Sequence, residues 1–395
     1  MTDHVSTYQV KRAWPRVAAN GMTARLLLAF LATAGLFYVN IMPAIVSGLI
    51  DGLGFSRRDA GLVGSLNIYG AAVGAFLAIF LIKRISWRPV CAALLLTLIT
   101  IDFLSMLIES ALVMMSLRAV HGFVGGLLVG IAFAVIARTQ YVHKTFGMLL
   151  LVQFGLGGLG VMLLPPLVPL TGAWVLFMAL IAFSLTALIM LPFLDDYKVT
   201  LDPKSPQAAP VQKKPLAFSI TAVFLFQAAN MALYAYIIDL GEQAGLSMAV
   251  MSPALGVSAW LGILGSALVI WLSTRFGRTL PILGGILVTA AATFALHFSF
   301  SPVVYWLANI MVGVTWAFSI AYLLGVCSEF DKAGQMAALG GFASKMGLAS
   351  GPMFAALMVS NGDYRLLINV AAIMMVVAAL VTLYPSLRLD REGRS

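Results

Sequence analysis

Four ionisable residues lie where the surrounding sequence is apolar: Asp102, Arg118, His121 and Lys345. Lys345 sits in "GGFASKMGLASGP", within the apolar run 333–359. A cation at mid-bilayer depth costs roughly 2.5–3.5 kcal/mol on insertion scales, so it needs a counter-group or a purpose. No acid stands four positions away or elsewhere in the run, and its helical neighbours Gly341, Leu348 and Pro352 are small or apolar. Reaching an interface by snorkelling would mean spanning about 18 Å of helix, too far for a lysine. This leaves an ammonium facing a cavity, where it can hold an anion.

Asp102 and Arg118 each fall about eight residues from the turn near Ser110, so an antiparallel helix pair brings them to one depth. Paired, they neutralise each other and Arg118 serves structure or gating; unpaired, Arg118 is free for a solute. His121 follows Arg118 by three residues on the same helix face. With an ordinary pKa near 6.5 it can carry a proton, or it can stay neutral and hydrogen-bonded within the bundle. Asp239, near the end of another apolar run, is a third titratable candidate. The chemistry available is capture of charge and exchange of protons. There is no His/Glu or Cys cluster with metal-ligand spacing and no glycine-rich phosphate loop with its Lys and Ser/Thr, so an enzyme, a metal site and a cofactor are all unexpected.

The elements that must position these residues are membrane helices. Of 395 residues 61% are hydrophobic and 10% charged, with a mean hydropathy of +1.00. A soluble globule of that composition could not cover its apolar surface. Twelve apolar runs long enough to cross about 30 Å of hydrocarbon recur, at 26–50, 60–82, 89–108, 112–137, 146–168, 173–194, 216–238, 249–273, 279–298, 302–327, 333–359 and 366–387. With the N-terminus inside, 19 of the 24 Lys and Arg fall at cytoplasmic ends and three (Arg57, Arg58, Arg365) in outer loops. The net charge of +9 is therefore topological and does not indicate nucleic-acid binding. Both termini are expected in the cytoplasm, with no cleaved signal peptide. Cys91 and Cys327 lie in or at the end of spans, which implies neither a disulfide nor a thiolate site.

One long polar break, "DDYKVTLDPKSPQAAPVQKKP", reads as a flexible linker over 195–215, between an N-terminal six-helix bundle (1–194) and a C-terminal one (216–395). Internal repetition supports the division. "GAFLAIFLIKRISWR" from Gly74 aligns with "GSALVIWLSTRFGR" from Gly265 at an offset of 191, and the same offset carries "RAVHG" from Arg118 onto "NIMVG" from Asn309.

Over essentially its whole length the chain resembles the major facilitator superfamily: twelve spans as six plus six, a central cytoplasmic loop, and degenerate signature loops. "TRFGR" (Thr274 to Arg278) is similar to the family's D-R-x-G-R turn, with Thr for Asp, and "KRISWR" (Lys83 to Arg88) occupies the equivalent turn of the first half. "RAVHGFVGG" from Arg118 resembles the fourth-span R-x-x-x-G-x-x-x-G pattern. The resemblance implies an all-α integral membrane protein of two pseudo-symmetric six-helix bundles, working as a secondary transporter by alternating access with solute bound near the midplane. It also implies gating by the signature turns, here Lys83, Arg84, Arg88, Arg275 and Arg278. Lys83 reverses the charge of the family's latch aspartate. Glu329 or Asp331 is expected to supply the missing negative charge and pair with Lys83 or Arg84; the alternative is solvated loop charges.

Spans one, four, seven and ten line the cavity in that family. Thr33, Asn40 and Ser47 recur every seven residues; Gln227, Asn230 and Tyr234, and Tyr305, Asn309 and Trp316, form further helical rows. Tyr38, Asn67, Gln153, Tyr236 and Trp260 are added candidates. For each, an interhelical hydrogen bond or interface aromatic competes with solute contact. The expected solute set is Lys345, Arg118, Asn40, Tyr38, Gln153, Gln227, Asn230, Tyr234, Asn309 and Trp316, with His121, Asp102 and Asp239 for protons and Asp331 in the gate. Together these suggest a monomeric, proton-coupled carrier of a small organic anion, a carboxylate, in a bacterial inner membrane. The alternative is proton-coupled efflux of lipophilic or cationic drugs, which the first span's lack of an acid before Asp51 and the fifth span's lack of a G-P-x-x-G-G run disfavour. A sensor that binds solute without moving it is a third possibility, one that counterflow in liposomes would separate.

Overall fold

The computed structural model describes residues 16–82, 84–197, 212–273, 275–330, 337–359 and 361–392. Lys83, Thr274 and Asp331 lie outside them. The described residues form thirteen α-helices and no strand of any length. Eleven are long and apolar enough to cross a membrane among the described residues.

The first half runs α1 (Met22–Asn40), α2 (Met42–Leu53), α3 (Arg57–Leu81), α4 (Trp87–Ser105), α5 (Ala111–Ile136), α6 (Val142–Thr171) and α7 (Trp174–Met190). The second runs α8 (Lys213–Gln243), α9 (Met248–Leu272), α10 (Thr279–Ala295), α11 (Pro302–Glu329), α12 (Ala337–Met358) and α13 (Arg365–Glu392). The helix carrying Lys345, α12, is not among the eleven strongly apolar ones. It packs against α8 and α3, so protein covers much of what a lipid-facing helix would expose.

The run expected as one span at 26–50 is two helices, broken at Ile41. Pro43, second residue of α2, has no N–H to donate to the turn before it. The Asn40 carbonyl is left out of the helix ladder and accepts a hydrogen bond from Tyr234 Oη of α8 instead, at 2.9 Å. Broken backbone at membrane depth is tolerated where protein satisfies it in this way.

The repeat read from the sequence reappears in the helix contacts, position for position. In the first half Asn67 Nδ2 donates to the Arg118 carbonyl (3.1 Å); in the second Ser258 Oγ donates to the Asn309 carbonyl (2.5 Å), each partner shifted by 191. The glycines follow suit. A Cβ at Gly122 would strike the Asn67 carbonyl and one at Gly313 that of Ser258, while Gly74 and Gly265 lie against the Phe123 and Val314 carbonyls. Helices α3 and α5, and α9 and α11, thus pack backbone to backbone. We expect Gly122→Ala to lower apparent thermal stability by about 1–3 kcal/mol through overpacking. Gly147→Ala, where a Cβ meets nothing within 4 Å, should be neutral or stabilising by about 0.4–1 kcal/mol. Equal melting points for the two variants would refute the close packing.

The two halves meet along α3–α12, α6–α9 and α2–α8. Their polar contacts run from mid-membrane to the face opposite the linker, the distal face. Tyr69 Oη bonds Ser350 Oγ (2.7 Å), Trp260 Nε1 donates to the Gly155 carbonyl (3.1 Å), and Tyr236 Oη donates to the Arg57 carbonyl (2.8 Å). Gly61 lies directly under Tyr236, and Gly158 under Trp260. Near the linker face, Cβ atoms at Gly147, Gly325 and Gly341 would meet open space.

Candidate functional site

Between the halves lies a cavity of about 210 Å³. Asn40 of α1, Gln153 and Phe154 of α6, Asn230 and Tyr234 of α8, Asn309 and Trp316 of α11, and Lys345 of α12 supply its polar and aromatic lining. Lys345 is the single charged residue in that lining, and no acid belongs to it among the described residues. Its side chain is half-buried and makes no hydrogen bond or ion pair with any described residue.

The neutral groups are held in place. Gln153 Nε2 donates to Asn40 Oδ1 at 3.1 Å. Asn230 and Asn309 each donate their amide to the carbonyl one turn back, Phe226 and Tyr305, both at 2.8 Å. Asn230 Oδ1 is thereby left as a buried acceptor without a protein partner among the described residues. The Trp316 ring meets Phe154 edge to face, centroids 6.1 Å apart, across the two halves.

Three residues expected among the solute contacts do not line the cavity. Arg118 is 0% exposed inside the first bundle. Its Nη1 donates to Asp102 Oδ1 (2.7 Å), its Nη2 to Ser105 Oγ and the Ile101 carbonyl, and the rings of Phe177 and Tyr38 lie 5.0 and 5.8 Å from Cζ. The equal-depth pairing is formed, and it turns Arg118 away from the cavity. Tyr38 belongs to the same cluster, its ring 5.6 Å from His121. Gln227 is a brace: it donates to Ser344 Oγ (2.8 Å) and accepts from Trp316 Nε1 (2.7 Å), tying α8 to α12 and α11. Thr33 and Tyr305 are likewise buried off the cavity, with Tyr305 Oη on the Ile237 carbonyl.

Of the proton candidates, His121 and Asp102 sit together, His121 Nε2 3.4 Å from Asp102 Oδ1. Asp239 lies elsewhere, at the distal face, and bridges the halves. Arg57 of α3 holds it through Nε (2.5 Å) and Nη2 (3.1 Å), and Tyr364 Oη donates to it as well.

At the linker face the expected pairing of Glu329 with Arg84 is not formed, and the Lys83 and Asp331 part of that expectation lies outside the described residues. Glu329 is engaged within its own half, accepting two 2.7 Å bonds from Arg278. The Asp390 carboxylate caps the same turn, accepting from the Arg278 and Thr279 backbone N–H and the Thr279 hydroxyl (2.7, 3.0 and 2.6 Å). Arg88 pairs with Asp196, while Arg84 and Arg275 are exposed. Sequence reasoning missed Phe154, Met231 and Ser258 in the lining. Ser258 was accessible through the repeat, since it is the counterpart of Asn67, 191 residues on.

Residues 26–344 match the Major Facilitator Superfamily. Among solved structures, the nucleoside transporter NupG is similar over 92% of this chain and 99% of its own, at 14% identity and a TM-score of 0.70. A mutant form of NupG gives 17% identity and 0.66 with the same coverage. At such identities the likeness is one of fold. Comparison with curated proteins gave no match. With the family match running over most of its length, this chain belongs to the major facilitator superfamily of secondary transporters.

Proposed function

We propose that the protein carries a small organic anion, a carboxylate, across a bacterial inner membrane by alternating access, in symport with a proton and as a monomer, with both termini in the cytoplasm. The observation that carries this reading is Lys345: one unpaired ammonium in an otherwise neutral, amide- and aromatic-lined cavity between the halves. A carboxylate is the group such a site lacks. The Arg57–Asp239 bridge between the halves at the distal face fits a state closed on that side and open toward the cytoplasm. Export of lipophilic cations fits less well, because no acid lines the cavity among the described residues.

A second solute class is favoured by the Trp316–Phe154 pair. A neutral nucleoside could stack its base there and donate its hydroxyls to Asn230 Oδ1, as the fold likeness to nucleoside transporters suggests.

Thermal shift separates them, since a ligand bound to the folded state adds about 2.7 kcal/mol at a hundredfold over its Kd. We expect lactate, succinate or benzoate to stabilise the wild type, uridine not to, and Lys345→Ala to abolish the acid effect. Losing the ammonium should weaken acid binding by about 2 kcal/mol or more, roughly thirtyfold. The empty Lys345→Ala protein should itself be more stable, by up to about 3 kcal/mol, since an unpaired cation has left the span. Stabilisation by uridine in both proteins would transfer the assignment to nucleosides.

A further inference from the structure

The polar side chains of the cavity wall differ in which end is already engaged. Tyr234, Ser258 and Trp316 each have a single donor, and each commits it to the protein. Tyr234 Oη donates to the Asn40 carbonyl (2.9 Å), Ser258 Oγ to the Asn309 carbonyl (2.5 Å) and Trp316 Nε1 to Gln227 Oε1 (2.7 Å). None of the three has an N–H or O–H left for a solute.

The amides are held by their nitrogens. Asn230 Nδ2 donates to the Phe226 carbonyl and Asn309 Nδ2 to the Tyr305 carbonyl, both at 2.8 Å. Turning either amide over would set oxygen against oxygen, so the oxygen is the free end. Gln153 is fixed at one remove. Asn40 Nδ2 faces the Gln153 carbonyl at 3.5 Å, which turns Asn40 Oδ1 toward Gln153 Nε2, 3.1 Å away. Asn230 Oδ1 is buried without a partner, and Asn309 Oδ1 and Gln153 Oε1 accept no hydrogen bond among the described residues. Beside the Lys345 ammonium, the wall therefore presents three acceptors.

A simple carboxylate matches only the ammonium. Ionised, it has no donor, so once it displaces water from the cavity the amide oxygens stay unpaired. That cost is how a site made to bond a hydroxyl rejects an analogue lacking one. A solute ammonium would serve the acceptors, but no acid lines the cavity among the described residues to balance it beside Lys345. A neutral donor remains, and a hydroxyl is the smallest.

We propose that the solute is a hydroxylated carboxylate, its carboxylate held by Lys345 and its hydroxyls donated to the amide oxygens of Asn309, Asn230 and Gln153, which select it over the plain acid. This inference rests on the anion reading above and narrows it. Asn309 is the most direct position to probe. Its amide nitrogen bonds only a carbonyl of its own helix, and Ser258 holds the backbone at 309 whatever side chain stands there. A leucine of similar size removes the acceptor and leaves that contact in place.

The test compares propionate, lactate and glycerate, one carbon skeleton with no, one and two hydroxyls, and alanine, which carries an ammonium where lactate has its hydroxyl. Dissociation constants come from the concentration dependence of the thermal shift, in wild type, Asn309→Leu, Asn230→Leu and Lys345→Ala. In wild type we expect affinity to rise about fivefold or more with each hydroxyl, and alanine to bind no tighter than propionate. At least one of the two leucine variants should lose one of these steps, and Lys345→Ala should weaken all three acids by a common factor. The readout is a ratio of affinities within one protein, so it does not depend on the stability of the variant, and the wild-type series stands even if a variant fails to fold. Equal affinity for the three acids in wild type, alanine binding as tightly as lactate, or the full order kept in both leucine variants would each overturn the proposal. No binding of any of the three acids would instead overturn the anion reading; uridine against dideoxyuridine then tests the same acceptors separately.

Discussion

Exchanging Asp239 for asparagine should unlatch the distal face. The carboxylate is 3% exposed and belongs to the second half, yet its two-pronged partner Arg57 comes from the first. Tyr364 stays with Asp239 whichever way the halves move, because both lie in the second half. Only the guanidinium is lost on opening. Truncating one member of such a pair costs about 2–5 kcal/mol. Because the pair exists only while the distal face is closed, that cost falls on the closed state and shifts the equilibrium toward opening by roughly thirtyfold or more. A cysteine at Met231, which lines the cavity, should then react faster with an impermeant thiol reagent added from the distal side. The charge swap Arg57→Asp with Asp239→Arg should restore protection. Identical labelling of Asp239→Asn and wild type would show that other contacts hold this face shut.

The largest effect on stability should come from the Asp102–Arg118 pair. Both are 0% exposed. Removing either partner alone strands a buried charge, which typically costs about 3–5 kcal/mol. Asp102→Leu and Arg118→Met should each lower apparent thermal stability by that order. The double variant should regain most or all of it, since apolar side chains of similar size often replace a buried pair without loss. It should regain no pH-driven accumulation. If the two single losses simply add, the residues do not act as a pair.

Much of this was legible in the sequence because membrane helices obey simple arithmetic. Rise per residue set Asp102 and Arg118 at one depth, and the absence of any acid in its own run left Lys345 facing a cavity. Where the sequence reading failed, the deciding neighbour belonged to another helix. Gln227, Asn230 and Tyr234 share one face of α8, but α12 approaches so closely that a Cβ at Gly347 would lie 2.9 Å from Gln227 Cβ. That contact covers Gln227 and leaves the other two to the cavity; no property of α8 alone contains it. The break at Ile41 is similar. Pro43 makes it possible, but Tyr234, nearly two hundred residues away, satisfies the Asn40 carbonyl at the break. Glu329 had several cations within plausible reach at the linker face, and sequence distance cannot choose Arg278 over Arg84.

The bond repeated in both halves has one more consequence. Asn67 grips the backbone at residue 118 and Ser258 grips it at residue 309, so in both halves this contact is independent of the side chain at the gripped position. Twin positions were thereby released to specialise: Arg118 turned inward to the charge cluster, and Asn309 outward to the cavity wall. A duplicated frame of this kind keeps the cavity wall apart from the buried charge cluster. The cavity wall can therefore change at residue 309, by selection or by a protein engineer, without rewiring the ionic centre in the other half.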